Sequence, residues 1–484
     1  MSSSGLFSKF IDLFPSFLHS NRVFPIRPTL QTFNMPSAIT EVKPVRILVA
    51  GGSYGGLAMA LNLLDLTKGK HPRFSGKDGV DDSQKVDVRI KVVDERDGYF
   101  HLIGSPLAFS SESYAEKFWV KYTDIPALNH PSISVAQGSV SKIDPASKIA
   151  TIVDHKTKET YEEKYDYFVA ASGLRRDKQV VPQELNREKY LEESRKQISG
   201  VCVGEGLKDG KGVVVIGGGA VGIEMASEIA TLHPTQRVTL IHSRDHLLSS
   251  EPLPTEMAEV SLKALRETGV EVLLNKRVSS SIEQEEGKWV LKLNDGTERT
   301  AGYVIWAISN SNSTSGYLPK NTVDEEGLVR VHDNLHFEDT IPNPSYHFAL
   351  GDIVKWSGIK RCGGAMHMGL LVATNLHQEI LVERGTLKAH KFLVLPVVEP
   401  MMALACGKSA ISWSEAAGVA AGEDVEEMFF GGNLGWDICW NYLQLGKSFD
   451  EPKKNQAEIA KLEEKVNDLE VKENTVNQEV GVEA

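Results

Sequence analysis

Two stretches of the chain share one order of positions: a short apolar run, then glycines, then a helical repeat of apolar residues. The first run lies within Val45–Ala50, and Leu57 and Leu64 recur at helical spacing after the glycines. The second run is Val213–Ile216, and its helical repeat extends through Ile229. Continuous apolar runs are typical of buried parallel strands, and the repeats are typical of amphipathic helices. Each stretch therefore predicts a strand, a tight turn and a helix.

Further apolar runs follow each of these units and predict additional strands. Val88–Val93 follows the first unit, and Val238–Ile241, Val270–Leu274 and Tyr303–Ala307 follow the second. Alternating strands and helices indicate an α/β fold with parallel sheets. A chain of 484 residues exceeds what one hydrophobic core supports, about 250–300 residues, so we expect two or three domains.

The glycines of both turns follow the dinucleotide-binding pattern G-x-G-x-x-G. In such a turn, backbone N–H groups approach a pyrophosphate at the positive end of the helix dipole. The second turn places Gly217, Gly219 and Gly222 at the three glycine positions, whereas the first has a serine at the middle position. The candidate residues of the first turn are Gly51, Gly52, Ser53, Gly55 and Gly56. Two such turns on one chain predict FAD and NAD(P)H as cofactors, with hydride passing between them.

The residues that end the second strand of each unit differ between the two units. After Val88–Val93 come Asp94 and Glu95, either of which could bind a ribose hydroxyl, and we favour Asp94. After Val238–Ile241 the chain carries His242, Ser243 and Arg244 where an NADH site usually has a carboxylate. We therefore predict that NADPH is accepted at least as well as NADH, with Arg244 either attracting the 2′-phosphate or simply exposed.

Three further positions are candidates for the cofactor site. Glu224 lies in the first turn of the helix after the second glycine turn, where it either orients the nicotinamide or only complements the helix dipole. Asp352 follows Gly351 at the end of a short strand and could bind the ribityl chain of FAD, the alternative being a plain loop acid. Gly173 ends the strand Tyr167–Ala171 and is a further cofactor-binding candidate. Residues 366–368 lie near the flavin or pack in the core.

Charge and cysteine content exclude several classes of function. A formal net charge of −12 and the lack of a basic stripe argue against nucleic-acid binding. The four cysteines, Cys202, Cys362, Cys406 and Cys439, form neither a CxxC pair nor a metal-ligand cluster, so we expect free thiols and no metal site. Without a closely spaced dithiol, electrons should leave the flavin for a diffusible acceptor.

The two ends of the chain leave location and assembly open. No apolar run is long enough for a transmembrane helix. Residues 1–40 are serine-rich and acid-poor, which indicates either a mitochondrial transit peptide or an unstructured extension, so the expected location is cytoplasmic or mitochondrial. Apolar residues from Ile459 to Val476 recur at heptad spacing, which predicts either an oligomerisation helix or a solvated tail.

Four segments together resemble a known family of two-dinucleotide flavoproteins, the apoptosis-inducing-factor-like proteins that include ferroptosis-suppressor-type NAD(P)H:quinone oxidoreductases. The resemblance runs from about Val45 to Leu445. The four segments are GGSYGG at Gly51 to Gly56, VVVIGGGAVGIEMASEI at Val213 to Ile229, VTLIHS at Val238 to Ser243, and ALGDI at Ala349 to Ile353.

The resemblance implies a nested fold, in which an NAD(P)-binding domain is inserted into an FAD-binding domain and a small C-terminal α+β domain covers the flavin. The implied divisions are an extension over 1–44, an FAD domain over 45–205 and 311–385, an NAD(P) domain over 206–310, a C-terminal domain over 386–447 and a charged tail over 448–484. By similarity, Ser53, Asp94, the backbone near Val140 and Asp352 hold FAD, and Gly217 to Gly222 with Glu224 hold NAD(P)H.

Two departures from the family pattern matter. The family has an arginine on the FAD side where this chain has Pro106-Leu107, which leaves that FAD contact in doubt. The family's myristoylation signal is also missing, because Ser2 follows Met1. The Met-, Phe-, Trp- and Gly-rich segment Met401 to Trp440 indicates a surface for a planar acceptor or a peripheral membrane contact, the alternative being core packing.

The sequence therefore predicts an FAD-dependent NAD(P)H oxidoreductase whose acceptor is a quinone-like molecule. Two alternatives remain. One is a flavin oxidoreductase or oxidase that tailors a specialised small molecule. The other is a redox-sensing protein that signals by oligomerisation after NAD(P)H binds.

Overall fold

The computed structural model describes residues 43–75, 79–176, 179–202, 212–285, 287–308 and 311–449. The N-terminal extension up to residue 42 and the predicted heptad helix lie outside these residues. The strands are β1 Val45–Ala50, β2 Val88–Asp94, β3 Gly98–Phe100, β4 Trp119–Lys121, β5 Ile133–Asp144, β6 Ile149–Asp154, β7 Thr160–Lys164, β8 Tyr167–Ala170, β9 Leu174–Arg176, β10 Val213–Ile216, β11 Val238–Ile241, β12 Glu271–Leu273, β13 Val278–Glu285, β14 Lys288–Leu293, β15 Glu298–Ala301, β16 Tyr303–Trp306, β17 Ser311–Ser313, β18 His347–Ala349, β19 Met401–Cys406, β20 Ser409–Ser414 and β21 Gly418–Gly422.

The α-helices lie between and after these strands. They are α1 Tyr54–Thr67, α2 Ser105–Ala108, α3 Glu112–Lys117, α4 Arg187–Cys202, α5 Ala220–Leu232, α6 Thr255–Glu267, α7 Cys362–Glu383, α8 Glu423–Phe429 and α9 Trp436–Tyr442. Among the described residues, no helix has the length and apolar content needed to cross a membrane.

The first sheet has the strand order β18-β8-β1-β2-β5-β6-β7. Its first five strands are parallel where they pair, and the second half of β5 turns to pair antiparallel with β6. Successive residues of β1 alternate between the two faces of the sheet. Ile47 and Val49 join a core with α1 and α7, whereas Leu48 and Ala50 join a second core on the opposite face. Burial on both faces explains the continuous apolar run of β1.

The second sheet repeats this construction between two segments of the first. Its order is β12-β11-β10-β16, all parallel, and an antiparallel sheet of β13, β14 and β15 packs on one face. The chain reaches this region after β8 through β9 and leaves it through β17, which pairs antiparallel with β9. It then adds β18 beside β8. The second βαβ unit is therefore inserted into the first, as the resemblance implied.

The C-terminal region is an antiparallel sheet of β19, β20 and β21 followed by α8 and α9. Leu404 and Ile411 of this sheet pack into the core of the inserted unit, against α5 and α6. Trp436 and Leu443 of the final helical region pack into the core that contains α1 and α7. The C-terminal region therefore contacts both units.

The α/β fold class with two Rossmann-like units is confirmed, while the domain boundaries given above stay predictions. Two elements differ from expectation. The predicted helix Met366 to Val382 begins four residues earlier, at Cys362. The short segments expected between Ile133 and Val153 include one long strand, β5, which changes partners after Gln137.

Candidate dinucleotide-binding sites

The first glycine turn joins β1 to α1, and its glycines are required by close backbone contacts. A Cβ on Gly51 would lie 2.3 Å from the carbonyl oxygen of Ala171, and one on Gly56 would lie 1.8 Å from that of Gly51. Gly55 allows a similar close approach to α7, because a Cβ there would lie 3.0 Å from the Ala365 carbonyl oxygen. Any side chain at these positions would push the turn away from its neighbouring strand or helix.

Asp94, the last residue of β2, contacts this turn directly. Its carboxylate accepts hydrogen bonds from the N–H of Gly52 at 2.6 Å and of Arg96 at 2.8 Å. Burial raises the pKa of Asp94. Glu95 points elsewhere, forming an ion pair with Arg175. Of the two acids left open by the sequence, Asp94 is thus the one at the glycine turn.

The remaining candidates of the first unit follow the carboxyl ends of neighbouring strands. Gly173 comes after β8, and Gly351 with Asp352 comes after β18, the strand next to β8. Val140 lies three residues beyond Gln137, which is paired with Asp94 across β5 and β2. The structure therefore brings these residues to the edge of the sheet where α/β folds bind their ligands.

Asp352 has a particular electrostatic environment at this edge. Partial burial raises the pKa of its carboxyl group, and the nearby charges of Lys360 and Arg176 act in the opposite direction. The Lys360 ammonium donates to the backbone carbonyls of Asp352 and, at 2.9 Å, of Val354. The lysine thus fixes the turn while leaving the Asp352 carboxylate free of a direct salt bridge.

The second glycine turn joins β10 to α5 and repeats the geometry of the first. A Cβ on Gly217 would lie 2.4 Å from the carbonyl oxygen of Ala307, and one on Gly222 would lie 1.9 Å from that of Gly217. Gly219, the residue that caps α5, differs because a Cβ there would meet no atom within 4 Å. Open space beside a helix N-terminus suits a phosphate group.

His242 occupies the place that Asp94 has in the first unit. The N–H of Gly218 donates to His242 Nδ1 at 3.0 Å, and Nε2 lies 3.1 Å from the hydroxyl of Ser249. Because Nδ1 accepts, the ring is neutral and Nε2 carries the proton. Burial lowers the pKa of His242, in agreement with the neutral form. Arg244 is exposed two residues further on.

Glu224 and Glu228 are stacked one turn apart on α5, facing β19. Glu224 accepts a hydrogen bond from the N–H of Ala405 at 3.3 Å, and burial raises its pKa to about 7. Glu228 is 6% exposed, and burial together with the charge of Glu224 raises its pKa to about 8. Sequence reasoning selected Glu224 but missed Glu228, although the i, i+4 spacing places them on one helix face.

Arg176, at the end of β9, is a further candidate site residue that the sequence did not identify. Its charge lowers the pKa of Glu224 in the inserted unit and the pKa of Asp352 in the first unit. Arg176 therefore lies near both candidate sites. Its position on a connecting strand between the units is visible only once the fold is known.

A second arginine lies beside the first unit. Arg361 caps the N-terminus of α7, and its Nε is buried without a hydrogen-bond partner in the described part of the chain. A donor of this kind and the glycine turns at the edge of the sheet suit an anionic dinucleotide. Leu107, which stands where the family has an arginine, is instead buried in the core.

The Met- and aromatic-rich segments mostly pack in the core. Met366 and Met368 of α7 are buried, and Met368 Sδ accepts from the N–H of Gly351 at 3.2 Å. In the segment Met401 to Trp440, Phe430 and Trp436 are also buried. Three exposed apolar side chains lie just before it, at Leu393, Val394 and Val397.

Comparison with known proteins agrees with this geometry. A family model described as pyridine nucleotide-disulphide oxidoreductase matches residues 45–369, which include both glycine turns and Asp352. The chain belongs to this family. Oxidoreductase OXR1 of Ajellomyces capsulatus is 49% identical over 423 residues, covering 85% of this chain and 90% of that protein. Ferroptosis suppressor protein 1 of Taeniopygia guttata is 27% identical over 359 residues, covering 71% of this chain and 83% of that protein.

Solved structures show the same fold at low identity. The water-forming NADH oxidase of Lactobacillus brevis, bound to NADH, has a TM-score of 0.55 at 19% identity, covering 76% of this chain and 74% of that one. NDH2 of Plasmodium falciparum, in complex with NADH, has a TM-score of 0.57 at 12% identity, and the match covers 85% of this chain and 100% of that one.

Membership of the pyridine nucleotide-disulphide oxidoreductase family confirms the resemblance, and it confirms the prediction that the cofactors are a flavin and a nicotinamide dinucleotide. This oxidoreductase is a member of an NAD(P)H-dependent flavoprotein family. The roles of individual residues, the quinone acceptor and the location in the cell stay predictions.

Proposed function

We propose that this oxidoreductase binds FAD at the first glycine turn and NAD(P)H at the second, and passes reducing equivalents to a quinone. FAD would be held by the turn Gly51–Gly56, with Asp94 on its ribose and Asp352 on its ribityl hydroxyls. NAD(P)H would be held by Gly217–Gly222. The observation that carries the proposal is the position of Arg176, whose charge acts on Asp352 and Glu224 together.

This relationship matters because hydride transfer requires two dinucleotides with adjacent reactive rings. Asp352 follows a strand of the first sheet and Glu224 lies on the helix after the second glycine turn. That the charge of one arginine acts on both carboxyl groups supports the proposal that the reactive ends of the two sites face each other. Bound flavin would supply the redox chemistry, accepting a hydride from NAD(P)H and returning electrons to the acceptor.

Glu224 is proposed to position the nicotinamide. Its carboxyl group has a pKa of about 7, so it exchanges a proton near neutral pH. The Ala405 N–H holds one carboxyl oxygen and thereby fixes the side chain between α5 and β19. The other oxygen remains to accept a hydrogen bond from the carboxamide of NAD(P)H.

The quinone acceptor is supported by the sequence resemblance and by the chain's thiols. No cysteine precedes Cys202, so the helix after the first glycine turn carries none of the thiols that a disulfide reductase needs there. A flavin without such a thiol passes its electrons to a separate acceptor. Similarity to ferroptosis suppressor protein 1 supports a quinone in this role.

One anaerobic experiment tests donor and acceptor together. The purified yellow protein is reduced with NADPH or NADH under stopped flow, then mixed with ubiquinone or menadione analogues or with oxygen. We expect bleaching of flavin absorbance by either donor and reoxidation at least tenfold faster with quinones than with oxygen. Protein without flavin would disprove the proposal, and preferred reoxidation by oxygen would favour the oxidase alternative.

Two variants of Glu224 distinguish a role in positioning the nicotinamide from a role in the fold. Glu224→Gln keeps an acceptor oxygen for the Ala405 N–H but cannot ionise, whereas Glu224→Ala removes both functions. We expect Glu224→Ala to slow flavin reduction about 10–100-fold, and Glu224→Gln to slow it less and to lose the pH dependence near 7. Unchanged reduction rates in both variants would exclude the role assigned to Glu224.

Peripheral membrane contact is proposed for the segment before β19. Val394 and Val397 are 51% and 82% exposed, and the exposed Lys391 precedes them in the same segment. Exposed apolar side chains next to a cation suit an anionic lipid surface, where a quinone also resides. Flotation with anionic vesicles should retain the wild type and lose Val394→Asp/Val397→Asp, and equal flotation of both would contradict this contact.

A further inference from the structure

A hydrogen-bonded path of two side chains joins the first glycine turn to the C-terminal region. Tyr54 follows Ser53 in this turn and is the first residue of α1. Its hydroxyl lies 3.1 Å from Nδ1 of His101, the residue that follows β3. Nε2 of His101 lies 2.9 Å from the carbonyl oxygen of Leu434, which lies between α8 and α9. Two side chains therefore connect segments that are distant in the chain.

The protons of this path have a single arrangement. The Leu434 carbonyl can only accept, so Nε2 of His101 donates to it. In a neutral ring Nδ1 then accepts, and the Tyr54 hydroxyl donates to it. The same hydroxyl accepts from the N–H of Ile103 at 3.2 Å. Burial lowers the pKa of His101 to about 3, so the ring stays neutral and the path is unchanged near neutral pH.

Both side chains of the path are shielded from water. Tyr54 is 6% exposed and His101 is 0% exposed. A buried donor or acceptor that loses its partner is costly, because water cannot replace the lost hydrogen bond. Movement of the Tyr54 hydroxyl away from His101 is therefore unfavourable unless the imidazole moves with it.

At the C-terminal end of the path, His101 supports a backbone conformation that is uncommon for leucine. Leu434 has a φ of 50°, in the left-handed region that residues with a side chain seldom adopt. His101 holds its carbonyl oxygen. Trp436, the first residue of α9, packs edge-on against the His101 ring, with ring centroids 5.5 Å apart. The imidazole thus contacts both the turn before α9 and the start of that helix.

At the other end of the path, Tyr54 belongs to the part of α1 that would bind an anion. The N–H of Leu57 donates to the Ser53 carbonyl at 2.9 Å and closes the first helical turn. The N–H groups that precede it at a helix N-terminus have no partner within the helix and suit a pyrophosphate. Tyr54 therefore has its backbone at the candidate dinucleotide site and its hydroxyl in the buried path.

We propose that Tyr54 and His101 are positioning residues that couple flavin binding at the first glycine turn to the docking of Leu434 and α9. The inference rests on the proposed function only in placing FAD at this turn. A bound pyrophosphate would hold the N-terminus of α1, which keeps the Tyr54 hydroxyl on His101 and the imidazole on Leu434. Coupling of this kind is reciprocal, so docking of α9 also favours flavin binding.

Hydrogen–deuterium exchange tests the coupling on the full-length protein, stripped of flavin and then reloaded with FAD. Amide exchange reports local opening of each segment. In the wild type, we expect FAD to slow exchange about tenfold both at residues 51–56 and at residues 430–443. Tyr54→Phe removes only the hydroxyl. FAD should still slow exchange at residues 51–56 of this variant, but change it less than about twofold at residues 430–443.

Tyr190→Phe is the matched control. Tyr190 is 0% exposed in the same core, and its hydroxyl donates to the carbonyl oxygen of Ala115 at 2.9 Å. The variant also loses one buried hydrogen bond, but this bond is not part of the path. Its FAD-dependent exchange at residues 430–443 should match that of the wild type.

Two variants of His101 interrupt the path at different bonds. The side chain of His101→Gln can still donate toward Leu434, and that of His101→Asn can still accept from Tyr54, but neither can do both. Both variants should lose the FAD-dependent change at residues 430–443. Because coupling is reciprocal, the Kd for FAD should rise about tenfold in these variants and in Tyr54→Phe, as measured by flavin titration.

Two outcomes would overturn the coupling: the same FAD response at residues 430–443 in Tyr54→Phe and both His101 variants as in the wild type, or a wild-type response confined to residues 51–56. Equal loss of the response in Tyr190→Phe would also overturn it, since any weakened core would then suffice. Failure of the proposed function gives a different result, in which FAD slows exchange at neither segment of the wild type.

Discussion

The N–H of Gly218 donates a hydrogen bond to Nδ1 of His242 at 3.0 Å. In the first βαβ unit, the N–H of Gly52 donates in the same way to the carboxylate of Asp94 at 2.6 Å. Glycine turn and strand end are thus joined by one hydrogen bond in both units, and only the acceptor differs. A neutral imidazole satisfies the backbone without placing a negative charge beside the second site.

We predict that His242→Asp shifts the donor preference toward NADH. The carboxylate can accept from Gly218 as Asp94 accepts from Gly52, and it would bind a ribose 2′-hydroxyl but repel a 2′-phosphate. The ratio of kcat/KM for NADH to that for NADPH should rise at least about tenfold, which corresponds to about 1.4 kcal/mol. Steady-state kinetics with both donors measures this ratio.

Ser249→Ala is the matched control for this variant. It removes the hydroxyl that contacts His242 Nε2 but introduces no charge. The NADH to NADPH ratio should therefore change less than about twofold, within the effect of one neutral hydrogen bond. A folded His242→Asp protein with the wild-type ratio would show that this position does not contact the adenosine ribose.

Asp94 and Glu95 can be separated by their variants. We predict that Asp94→Ala purifies with less bound flavin, because the turn loses the acceptor for the Gly52 N–H and the ribose loses its carboxylate. Glu95→Ala, which removes only the ion pair with Arg175, should retain flavin like the wild type. The ratio of flavin absorbance to protein absorbance measures the bound flavin in each purified variant. Flavin loss in Glu95→Ala alone would show that Glu95, not Asp94, supports flavin binding.

The sequence predicts features that depend on local pattern. Both strand-turn-helix units could be recognised because an apolar run ends at a glycine that no other residue can replace, as the Gly51 contact with Ala171 shows. Asp94 rather than Glu95 lies at the turn, as the strand-end position suggested, and its contact with the FAD ribose stays a prediction. Each of these features lies within one βαβ unit, where spacing along the chain determines spacing in the fold.

Features that join distant segments could not be predicted. The charge of Arg176 acts on Asp352 of the first unit and on Glu224 of the inserted unit, and its strand β9 lies where the chain passes from one unit to the other. The role of His242 was hidden for another reason. Its residue type differs from the carboxylate expected there, and only the observed hydrogen bond shows that it has taken over the structural part of that role.

We predict that Glu228→Gln stabilises the protein at alkaline pH. The pKa of Glu228 is raised to about 8 in the folded protein, from an ordinary value of 4.5. Between these values the folded state holds a proton that the unfolded state has released, so wild-type stability falls as pH rises. Glutamine keeps the size of the side chain and one acceptor oxygen but cannot ionise. The variant should gain about 1–3 kcal/mol at pH 8–9 relative to pH 5.

Denaturant unfolding across this pH range measures the effect. The control is Glu427→Gln, which removes the same charge from an exposed position of α8. It should change the pH dependence by no more than about 0.5 kcal/mol. A Glu228→Gln curve parallel to that of the wild type would mean that Glu228 is already ionised without penalty in the folded protein.

The glycines of the second turn should respond differently to alanine. A Cβ at position 222 would lie 1.9 Å from the Gly217 carbonyl oxygen, so Gly222→Ala must displace α5 from β10 and should cost about 1–3 kcal/mol of stability. A Cβ at position 219 meets no protein atom within 4 Å. Gly219→Ala should therefore fold with nearly wild-type stability, yet its methyl group would occupy space beside the N-terminus of α5 where a pyrophosphate would bind. We expect its KM for NADPH to rise about tenfold with flavin content unchanged, and a wild-type KM would place the pyrophosphate elsewhere.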